Sequence, residues 1–331
     1  MNTESSIGPI RPPSEAYSLL IRVTRNCPWN RCEFCSVFKG QRFELRTVEE
    51  VKQDILAARA LADSIQESAE QYGHSAGDFA RLNGILWMQD DGVKNAFLQD
   101  SDSMIMKTDP LVEIVEFLCE TFPTLERVCT YARGKTVFRK TPEELKRLRE
   151  AGLSRLHIGL ETGDDELLAY VQKGATAEQM AQAGRKAVEA GFEVSEYIMP
   201  GLGGIERSEQ HAANSARVLS EIDPHFIRLR TFHLPPGTPI YEKARQGEFH
   251  MQSIEGVLKE IRSFIEQLDV ASELVTSDFA ANFYMTGVDG KLPEDKESLL
   301  NAVDRSLAFW QEGGEPKRNP FMGRLNPSIW Q

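Results

Sequence analysis

Hydrophobic residues recur along the chain with two different spacings. Short runs rich in β-branched and aromatic residues, such as residues 17–24 and 192–199, predict strands. Between these runs, apolar residues three or four positions apart predict amphipathic helices. The helix after Thr47 is an example, because Val51 and Ile55 follow a Thr-Val-Glu-Glu sequence that is typical of a capping box.

Strand and helix patterns alternate six times between residues 17 and 240. The predicted strands are residues 17–24, 96–98, 127–131, 155–160, 192–199 and 226–232. The predicted helices are residues 47–72, 110–121, 142–151, 164–171, 177–190 and 206–221. Six such units with short connections predict an α/β fold, with a parallel sheet and helices outside it. Strand count alone does not distinguish a closed barrel of eight units from a partial barrel of six.

The segments outside these units show other patterns. Residues 1–16, with three prolines among small polar residues, predict an extended arm on the surface or over one end of the fold. Residues 73–83 predict a loop, and residues 84–92 give no clear assignment. The C-terminal patterns predict a turn at 235–239, a helix at 253–268, a strand and loop at 274–282, and a helix from Pro293 to about Trp310. We therefore divide the chain into an N-terminal arm (1–16), a barrel-type domain (17–240), a helical C-terminal extension (241–311) and an irregular tail (312–331).

The composition is that of an ordinary globular enzyme. Hydrophobic residues make up 41% of the chain and charged residues 27%, and no run approaches the roughly 20 apolar residues of a membrane span. The polar start is neither a signal nor a transit peptide, so we expect a cytoplasmic protein that does not bind a membrane. A formal net charge of -12 would repel a phosphate backbone and disfavours a nucleic-acid partner.

Three of the five cysteines, Cys27, Cys32 and Cys35, fall within nine positions. In a chain without a secretion signal, such a cluster is explained better by iron-sulfur or zinc ligation than by disulfides. Structural zinc normally takes four protein ligands, whereas three thiolates on a 4Fe-4S cube leave one iron open. The pattern therefore favours an iron-sulfur cluster, with zinc as the alternative. Cys119 and Cys129 are too scattered to hold a second cluster, and we expect both to be core thiols.

The cysteine stretch resembles the cluster loop of the radical S-adenosylmethionine (SAM) superfamily. That loop also has an aromatic residue before its last cysteine, as Phe34 is here, although its usual spacing is C-x3-C-x2-C and this chain has C-x4-C-x2-C. The resemblance implies a partial (β/α)6 TIM-like barrel with a 4Fe-4S cluster and SAM as cofactors. Two further sequences, Lys173-Gly174 and Thr238-Pro239, recur in uncharacterised iron-sulfur oxidoreductases of that superfamily.

The resemblance also implies SAM contacts at the ends of the strands. In the loop after the second strand, Asp100 and Asp102 replace a Gly-Gly-Glu element that binds the SAM amino group, and a solvated acidic loop is the alternative. Arg133, Arg228 and Arg230 would bind the carboxylate of SAM or of the substrate. Salt bridges to Asp100 or Glu161 explain the last two arginines nearly as well.

Two more segments are implied to contact the nucleoside part of SAM. Glu161 and Thr162, at the end of the fourth strand, would contact the ribose, and Gly159 before them would leave space for a ligand. Gly201 and Gly203, after the fifth strand, permit the close backbone approach that an adenine ring needs. A plain turn before the next helix is the alternative interpretation of these glycines.

Taken together, the residues and the resemblance predict an enzyme that cleaves SAM to a 5'-deoxyadenosyl radical and abstracts hydrogen from a small-molecule substrate. An electron donor such as flavodoxin or ferredoxin would reduce the cluster. Three alternatives stay open: a non-catalytic iron-sulfur or haem carrier, cleavage of SAM to a 3-amino-3-carboxypropyl radical, and a zinc site on an ordinary barrel enzyme.

Overall fold

The structure, a computed structural model, describes residues 8 and 10–314 and divides them into two compact units. The first unit contains the described residues up to Pro28, together with Gly40–His157 and Lys186–Glu193. The second unit contains Trp29–Lys39, Ile158–Arg185 and the described chain from Val194 onward. Most of the predicted tail, residues 315–331, and half of the predicted arm, residues 1–7 and 9, lie outside the described residues.

The first half of the chain forms five strands and five helices. In chain order they are β1 (Leu19–Arg22), β2 (Thr24–Arg25), β3 (Glu44–Leu45), α1 (Val48–Tyr72), α2 (Ala76–Leu82), β4 (Asn95–Gln99), α3 (Thr108–Thr121), β5 (Arg127–Ala132), α4 (Gly134–Arg139) and α5 (Pro142–Glu150). Short 3-10 helices occur at Pro13–Glu15 and Ser103–Ile105.

The second half of the described chain continues the alternation. It contains β6 (Leu153–Glu161), α6 (Asp165–Tyr170), α7 (Ala177–Glu189), β7 (Glu193–Ile198), α8 (Ser208–Ile222), β8 (Phe226–Leu229), α9 (Pro239–Arg245), α10 (Ile254–Gln267), β9 (Glu273–Val275), β10 (Gly290–Lys291) and α11 (Lys296–Gln311). The helices predicted before β8 agree with these bounds to within two residues, apart from the short α2 and α4.

The main sheet has the strand order β1-β4-β5-β6-β7-β8-β9-β10. The pairs β1–β4, β4–β5, β7–β8 and β8–β9 are parallel, and β10 joins β9 antiparallel. In the β7–β8 pair, Tyr197 lies opposite Arg228, so both side chains leave the same face of the sheet. The fold is therefore α/β with a mostly parallel sheet that does not close, which confirms the predicted fold class.

Local sequence signals account for the principal helix ends. Thr47 and Thr141 both form complete capping boxes with Glu50 and Glu144, so α1 and α5 begin where the pattern predicts. Gly73 ends α1 in a left-handed conformation (φ 70°), which glycine adopts without strain. Along α1, Val51 and Ile55 are fully buried, and the helix packs on α3 within the first unit.

One prediction about the fold is wrong. Residues 73–83 are not a loop, because Ser75 caps the seven-residue helix α2, which is too short to show apolar periodicity. In the predicted N-terminal arm, Glu15 is fully buried at the end of a 3-10 helix. No helix of the described residues is long and apolar enough to cross a membrane.

Glu15 belongs to a buried network of charges in the first unit. Its carboxylate accepts a hydrogen bond from Ser18 (2.7 Å) and lies 3.4 Å from the Arg127 guanidinium and 3.5 Å from His157 Nε2. Burial raises the pKa of Glu15, but the hydrogen bonds from His157 and Ser18 and the charge of Arg127 lower it further, to about 2. Because the folded-state pKa of Glu15 is depressed, its stabilisation of the fold is fully present above the unfolded-state pKa. The stabilisation is lost as the pH falls from there through the folded-state pKa of about 2.

We expect Glu15→Gln to lower the free energy of unfolding at pH 7 by about 3 kcal/mol, because it removes the buried carboxylate that pairs with the partly buried Arg127 guanidinium. Urea unfolding followed by circular dichroism measures the loss. The difference between variant and wild type should shrink as the pH falls from about 4 toward 2. The exposed Glu150→Gln, whose carboxylate lies 3.8 Å from Lys146, is the control and should change stability by under about 0.5 kcal/mol. Equal stability of the two variants at pH 7 would contradict the role of the Glu15 network.

Candidate cofactor site

The cysteine loop between β2 and β3 contains no helix or strand. Cys27, Cys32 and Cys35 form no disulfide among the described residues, and all three are partly buried. The backbone turns sharply at Asn26 (φ 65°) and Asn30 (φ 47°), both in the left-handed conformation that asparagine tolerates. A set of three cysteines in one irregular loop has the donor chemistry that an iron-sulfur cluster with one open iron requires.

In the second unit, the loop is held against the segment that follows α6. Trp29 Nε1 donates to the Gln172 carbonyl (2.7 Å), and the Glu33 N–H donates to the Val171 carbonyl (2.9 Å). Gln172 Nε2 donates in turn to Glu33 Oε1 (2.7 Å). The Trp29 indole lies on Gly174, where a Cβ would come within 2.4 Å of the ring and where φ is 77°. Glycine is therefore required at position 174.

Helix α9 holds the same loop at a second point. Lys243 Nζ lies 2.5 Å from the Glu33 carboxylate, and the Ile240 N–H donates to the Glu33 carbonyl (3.4 Å). Thr238 fixes the start of α9 by accepting the Tyr241 N–H (3.4 Å). The Lys173-Gly174 and Thr238-Pro239 sequences thus share one structural role, because both belong to segments that hold the loop.

An apolar cluster lies beneath the loop. It is built on Phe34, and its other buried members are Leu167, Val171, Leu202, Phe232, Ile240 and Phe249. Cys32 and Cys35 pack against this cluster, so their sulfur atoms border a surface that excludes water. Phe34 lies between Cys32 and Cys35 in the sequence and was predicted to contact the cofactor. In the structure its side chain is a buried member of this apolar cluster.

Three ionisable side chains lie near one another in the second unit: Glu161 at the end of β6, Glu196 within β7 and Lys173 after α6. Lys173 Nζ pairs with Glu161 Oε1 (2.8 Å) and lies 5.9 Å from the centroid of the Phe34 ring. Burial raises the pKa of Glu196 well above its usual value, with Lys173 lowering it and Glu161 raising it. Glu196 Oε2 is buried and has no hydrogen-bond partner among the described residues. We call Glu161, Lys173 and Glu196 the charged triad.

Two side chains of the triad fill the space next to Gly159. A Cβ at position 159 would lie 2.2 Å from Glu161 Oε1 and 3.0 Å from Lys173 Nζ. The side chain of Glu161 itself therefore occupies the space that the sequence analysis assigned to a ligand.

A second buried network in the second unit connects the end of β6 with the turn after β7. His211 Nδ1 is 2.7 Å from Thr162 Oγ1, and His211 Nε2 is 3.1 Å from the Met199 carbonyl. Glu260 accepts the Gly201 N–H (2.7 Å) and is 3.6 Å from His211 Nε2. Burial raises the pKa of Glu260, and the contact with His211 lowers it. The network joins the end of β6 to the turn after β7.

The two predicted glycines of this turn differ in their surroundings. Gly201 has a φ of 83°, and its N–H is the group that Glu260 binds. Gly203 lies close to the start of α8, where a Cβ would come within 3.0 Å of the Arg207 carbonyl. Both positions are restricted by the protein itself, whatever ligand the turn binds.

Arg228 and Arg230 share a face of the sheet, as strand alternation predicts, and both pair with Asp278. Arg228 Nη1 lies 2.5 Å from Asp278 Oδ2 and donates through Nε to Ser195 Oγ (3.1 Å). Arg230 Nη2 donates to Asp278 Oδ2 (3.0 Å). The salt bridges considered from the sequence, to Asp100 or Glu161, are replaced by one to a residue beyond β9 that sequence analysis did not single out.

Asp100, in the first unit, is fully buried, so the interpretation as a solvated acidic loop is wrong. Its Oδ2 accepts hydrogen bonds from Arg22 (2.6 Å) and from the Asn26 N–H (2.8 Å). Its Oδ1 is buried without a hydrogen-bond partner among the described residues and lies against Gly8, where a Cβ would come within 1.6 Å.

Asp102 is also fully buried and supports the start of α4. It accepts hydrogen bonds from the Thr136 hydroxyl (2.6 Å) and from the Arg133 N–H (3.3 Å). Burial raises the pKa of Asp102 to about 6, against these two bonds, which lower it. Asp102 and the backbone of Arg133 thus contact each other directly.

Another group of metal-ligand side chains lies apart from the loop. Ligand atoms of Glu15, Cys129 and His157 are all within 4.8 Å of one another and buried. Two guanidinium groups also approach Glu15, Arg127 at 3.4 Å and Arg155 at 3.8 Å. Because these positive charges would repel a metal dication, we interpret the group as part of the charge network of the core.

Sequence analysis missed three side chains that organise these sites, and it named Lys173 only as part of Lys173-Gly174, without a role. The three are Glu196, Glu260 and Asp278. One signal was available for Glu196, since a carboxylate in the middle of a buried strand is unusual and indicates a polar partner or ligand. For Glu260 the signal was similar, because it falls on the apolar side of the amphipathic helix α10.

Comparison with known proteins agrees with this architecture. Residues 82–216 match the radical SAM superfamily, a range that begins after the cysteine loop. The chain is 30% identical over 171 residues to the heme chaperone HemW of Bacillus subtilis, covering 51% of the chain and 45% of the relative. It is 24% identical over 151 residues to a tRNA uridine(34) acetyltransferase of Methanocaldococcus jannaschii, covering 44% and 28%. The chain thus spans less than half the length of these curated relatives.

A solved structure shows the same fold. Coproporphyrinogen III oxidase (HemN) from Escherichia coli, described as a radical SAM enzyme, superposes with a TM-score of 0.50 at 17% sequence identity. The match covers 76% of this chain and 52% of that one. The mostly parallel sheet and the matched residues lead to one conclusion: residues 82–216 form a domain that matches the radical SAM superfamily.

Proposed function

We propose that the protein is a radical SAM enzyme in which Cys27, Cys32 and Cys35 hold a 4Fe-4S cluster. The match to the superfamily implies this cluster and SAM as cofactors. One observation carries the proposal for this chain. The loop that contains Cys32 and Cys35 is bonded to residues 171–174, and Lys173 in that segment belongs to a buried charged triad.

The charged triad matches the polar groups of SAM. Lys173, which pairs with Glu161, has the positive charge that an amino-acid carboxylate would bind. Glu196 Oε2 lacks a partner among the described residues and can accept a ribose hydroxyl proton. We propose the charged triad as the principal SAM-binding group of this chain. When bound, the cluster and SAM supply a reductive cleavage that produces a 5'-deoxyadenosyl radical, which abstracts hydrogen from the substrate.

The residues around the triad position it and exclude water. His211 and Glu260 fix the turn at Gly201, and the apolar cluster around Phe34 keeps solvent from the cysteines. The remaining predicted contacts keep their assignments as part of this proposal. They are Asp100, Asp102, Arg133, Thr162, Gly201, Gly203, Arg228 and Arg230.

The substrate class and the electron donor are also proposals. We infer a small-molecule substrate and a donor protein such as flavodoxin or ferredoxin. Relatives that act on tRNA exist, so the sequence-based argument against nucleic acid stays a prediction. The similarity to a heme chaperone favours one second candidate, a carrier that keeps the fold and the cluster but does not cleave SAM.

Replacing any one of the three loop cysteines by alanine should remove most of the iron and sulfide from anaerobically reconstituted protein. The reason is that two thiolates do not retain a cube that three hold. Cys119→Ala is the matched control and should keep full iron content. The measurements are iron and sulfide per chain, and the nucleoside product formed from SAM with dithionite.

The nucleoside product distinguishes the candidate reactions. 5'-Deoxyadenosine supports the proposed enzyme, and methylthioadenosine indicates the 3-amino-3-carboxypropyl route. An intact cluster without any SAM cleavage, repeated in the presence of cell extract, supports the carrier. Full iron content in all three cysteine variants would rule out the proposed cluster site.

The charged triad gives a second prediction. Lys173→Met and Glu196→Gln should each weaken SAM binding by about tenfold or more, because the first removes a charged donor and the second replaces one carboxyl oxygen of Glu196 with an amide NH2 group. Calorimetric titration with S-adenosylhomocysteine measures the affinity without turnover. Glu193→Gln, on the same strand, is the control and should bind like wild type. Unchanged affinity in both triad variants would refute the assignment of the triad to SAM.

The network at Gly201 gives a third prediction. Glu260→Ala removes the acceptor of the Gly201 N–H, so we expect faster amide exchange at Gly201 and about tenfold weaker S-adenosylhomocysteine binding. Glu260→Gln keeps an acceptor oxygen and should restore most of both properties. Ile261→Val, a neighbouring core substitution on α10, controls for a general loss of stability and should leave the affinity unchanged. If Ile261→Val weakens binding as much as Glu260→Ala, Glu260 has only a structural role.

A further inference from the structure

The N-terminal arm lies along the sheet of the first unit. Near one end of its described residues, Glu15 is buried beside Arg127, the first residue of β5. At the other end, Gly8 lies against Gln99 and Asp100, where β4 ends. Since β4 and β5 are parallel neighbours, the arm runs from the start of one strand to the carboxyl end of the other. The carboxyl ends of parallel strands are where ligands of such sheets bind.

The two ends of the arm are held by different interactions. Glu15 is fixed by charges, as described above. At the other end, Gln99 accepts the Gly8 N–H (2.9 Å) and donates to the carbonyls of Gly8 (3.2 Å) and Ile10 (2.9 Å). These hydrogen bonds are uncharged, and exchanging them for bonds to water costs little net free energy. We call Gly8 and Ile10 the strap.

The strap covers an unsatisfied carboxylate oxygen. Asp100 Oδ2 is held by Arg22 and by the Asn26 N–H, but Oδ1 is buried without a hydrogen-bond partner among the described residues. The Gly8 backbone lies so close to Oδ1 that a Cβ at residue 8 would come within 1.6 Å of it. Because a buried carboxylate oxygen without a donor is unfavourable, a donor that replaced the strap would stabilise this atom.

We propose that the strap is a displaceable plug, which occupies the place of the SAM ammonium group at Asp100 Oδ1 and leaves when SAM binds. This inference rests on the proposed function, in which Asp100 contacts SAM. An ammonium nitrogen bonds to a carboxylate oxygen at about 2.8 Å, a distance at which it would overlap the Gly8 backbone. The strap and the ammonium group therefore exclude each other, and no covalent bond changes in the exchange.

The other neighbours of Asp100 are fixed in the sheets. Arg22 lies opposite Gln99 in the ladder between β1 and β4. The Thr24 hydroxyl accepts the Asp100 N–H (3.2 Å), and Thr24 itself pairs with β3. Asp100 is fully buried, so a ligand reaches it only if a neighbouring group moves. The strap is the neighbour that moves without breaking a strand ladder.

Two variants release the strap without changing Asp100. Gly8→Ala places a Cβ against Asp100 Oδ1, and Gln99→Met removes the three hydrogen bonds to the strap at similar side-chain length. We expect each variant to bind S-adenosylhomocysteine about fivefold more tightly than wild type in calorimetric titration, because binding no longer requires the strap to open. Arg11→Ala, which changes an exposed side chain of the same arm, is the control and should bind like wild type.

Amide hydrogen exchange measured by NMR follows the strap itself. In wild type, S-adenosylhomocysteine should raise the exchange rate of the Gly8 N–H about tenfold, because this group loses its bond to Gln99. The Glu15 N–H, which donates to the Pro12 carbonyl (2.9 Å) in the fixed part of the arm, should exchange at an unchanged rate.

Two results would overturn the inference alone. One is that both variants bind S-adenosylhomocysteine no more tightly than wild type. The other is slower exchange at Gly8 with the ligand bound, which would mean that the strap closes over the ligand. Binding by the two variants but not by wild type would support the plug. An absence of binding in wild type and in both variants would instead refute the proposed function, and the inference with it.

Discussion

The contact between Trp29 and Gly174 is the constraint on which the rest of the site depends. The indole lies so close to the backbone of residue 174 that no side chain fits there, and it donates at the same time to the Gln172 carbonyl. This contact fixes the start of the cysteine loop against the segment that contains Lys173. Because a loop without regular structure has no hydrogen-bond ladder of its own, such fixed points decide where its thiols lie.

Ionisable side chains are buried beside this contact, at the same end of the sheet. Lys173, Glu161 and Glu196 would be costly inside a protein unless each had a partner or a ligand. The ion pair between Lys173 and Glu161 offsets part of the desolvation free energy. The Glu196 Oε2 atom has no hydrogen-bond partner among the described residues, so its desolvation is not offset. A protein that retains such a group loses stability at that position, which is usual where the group serves binding or catalysis.

The C-terminal extension contributes directly to the second unit. Glu260 on α10 binds the turn at Gly201, and Asp278 beyond β9 pairs with the two arginines near the end of β8. Both residues lie outside the range 82–216 that matches the superfamily. Side chains from outside the matched range thus support the turn at Gly201 and the arginine pair in the second unit.

Most of the fold was predictable from the sequence because its signals are local. Capping boxes at Thr47 and Thr141, glycine at residue 73 and strand periodicity depend only on neighbours along the chain. The cysteine spacing likewise predicted a cluster loop, and that prediction remains untested by the structure. The partners of Arg228, Arg230 and Glu196 depend on residues tens of positions away, so no local pattern indicates them. Asp278 in particular reaches the arginines only because β9 pairs with β8, and a three-residue strand is too short to predict its register from sequence.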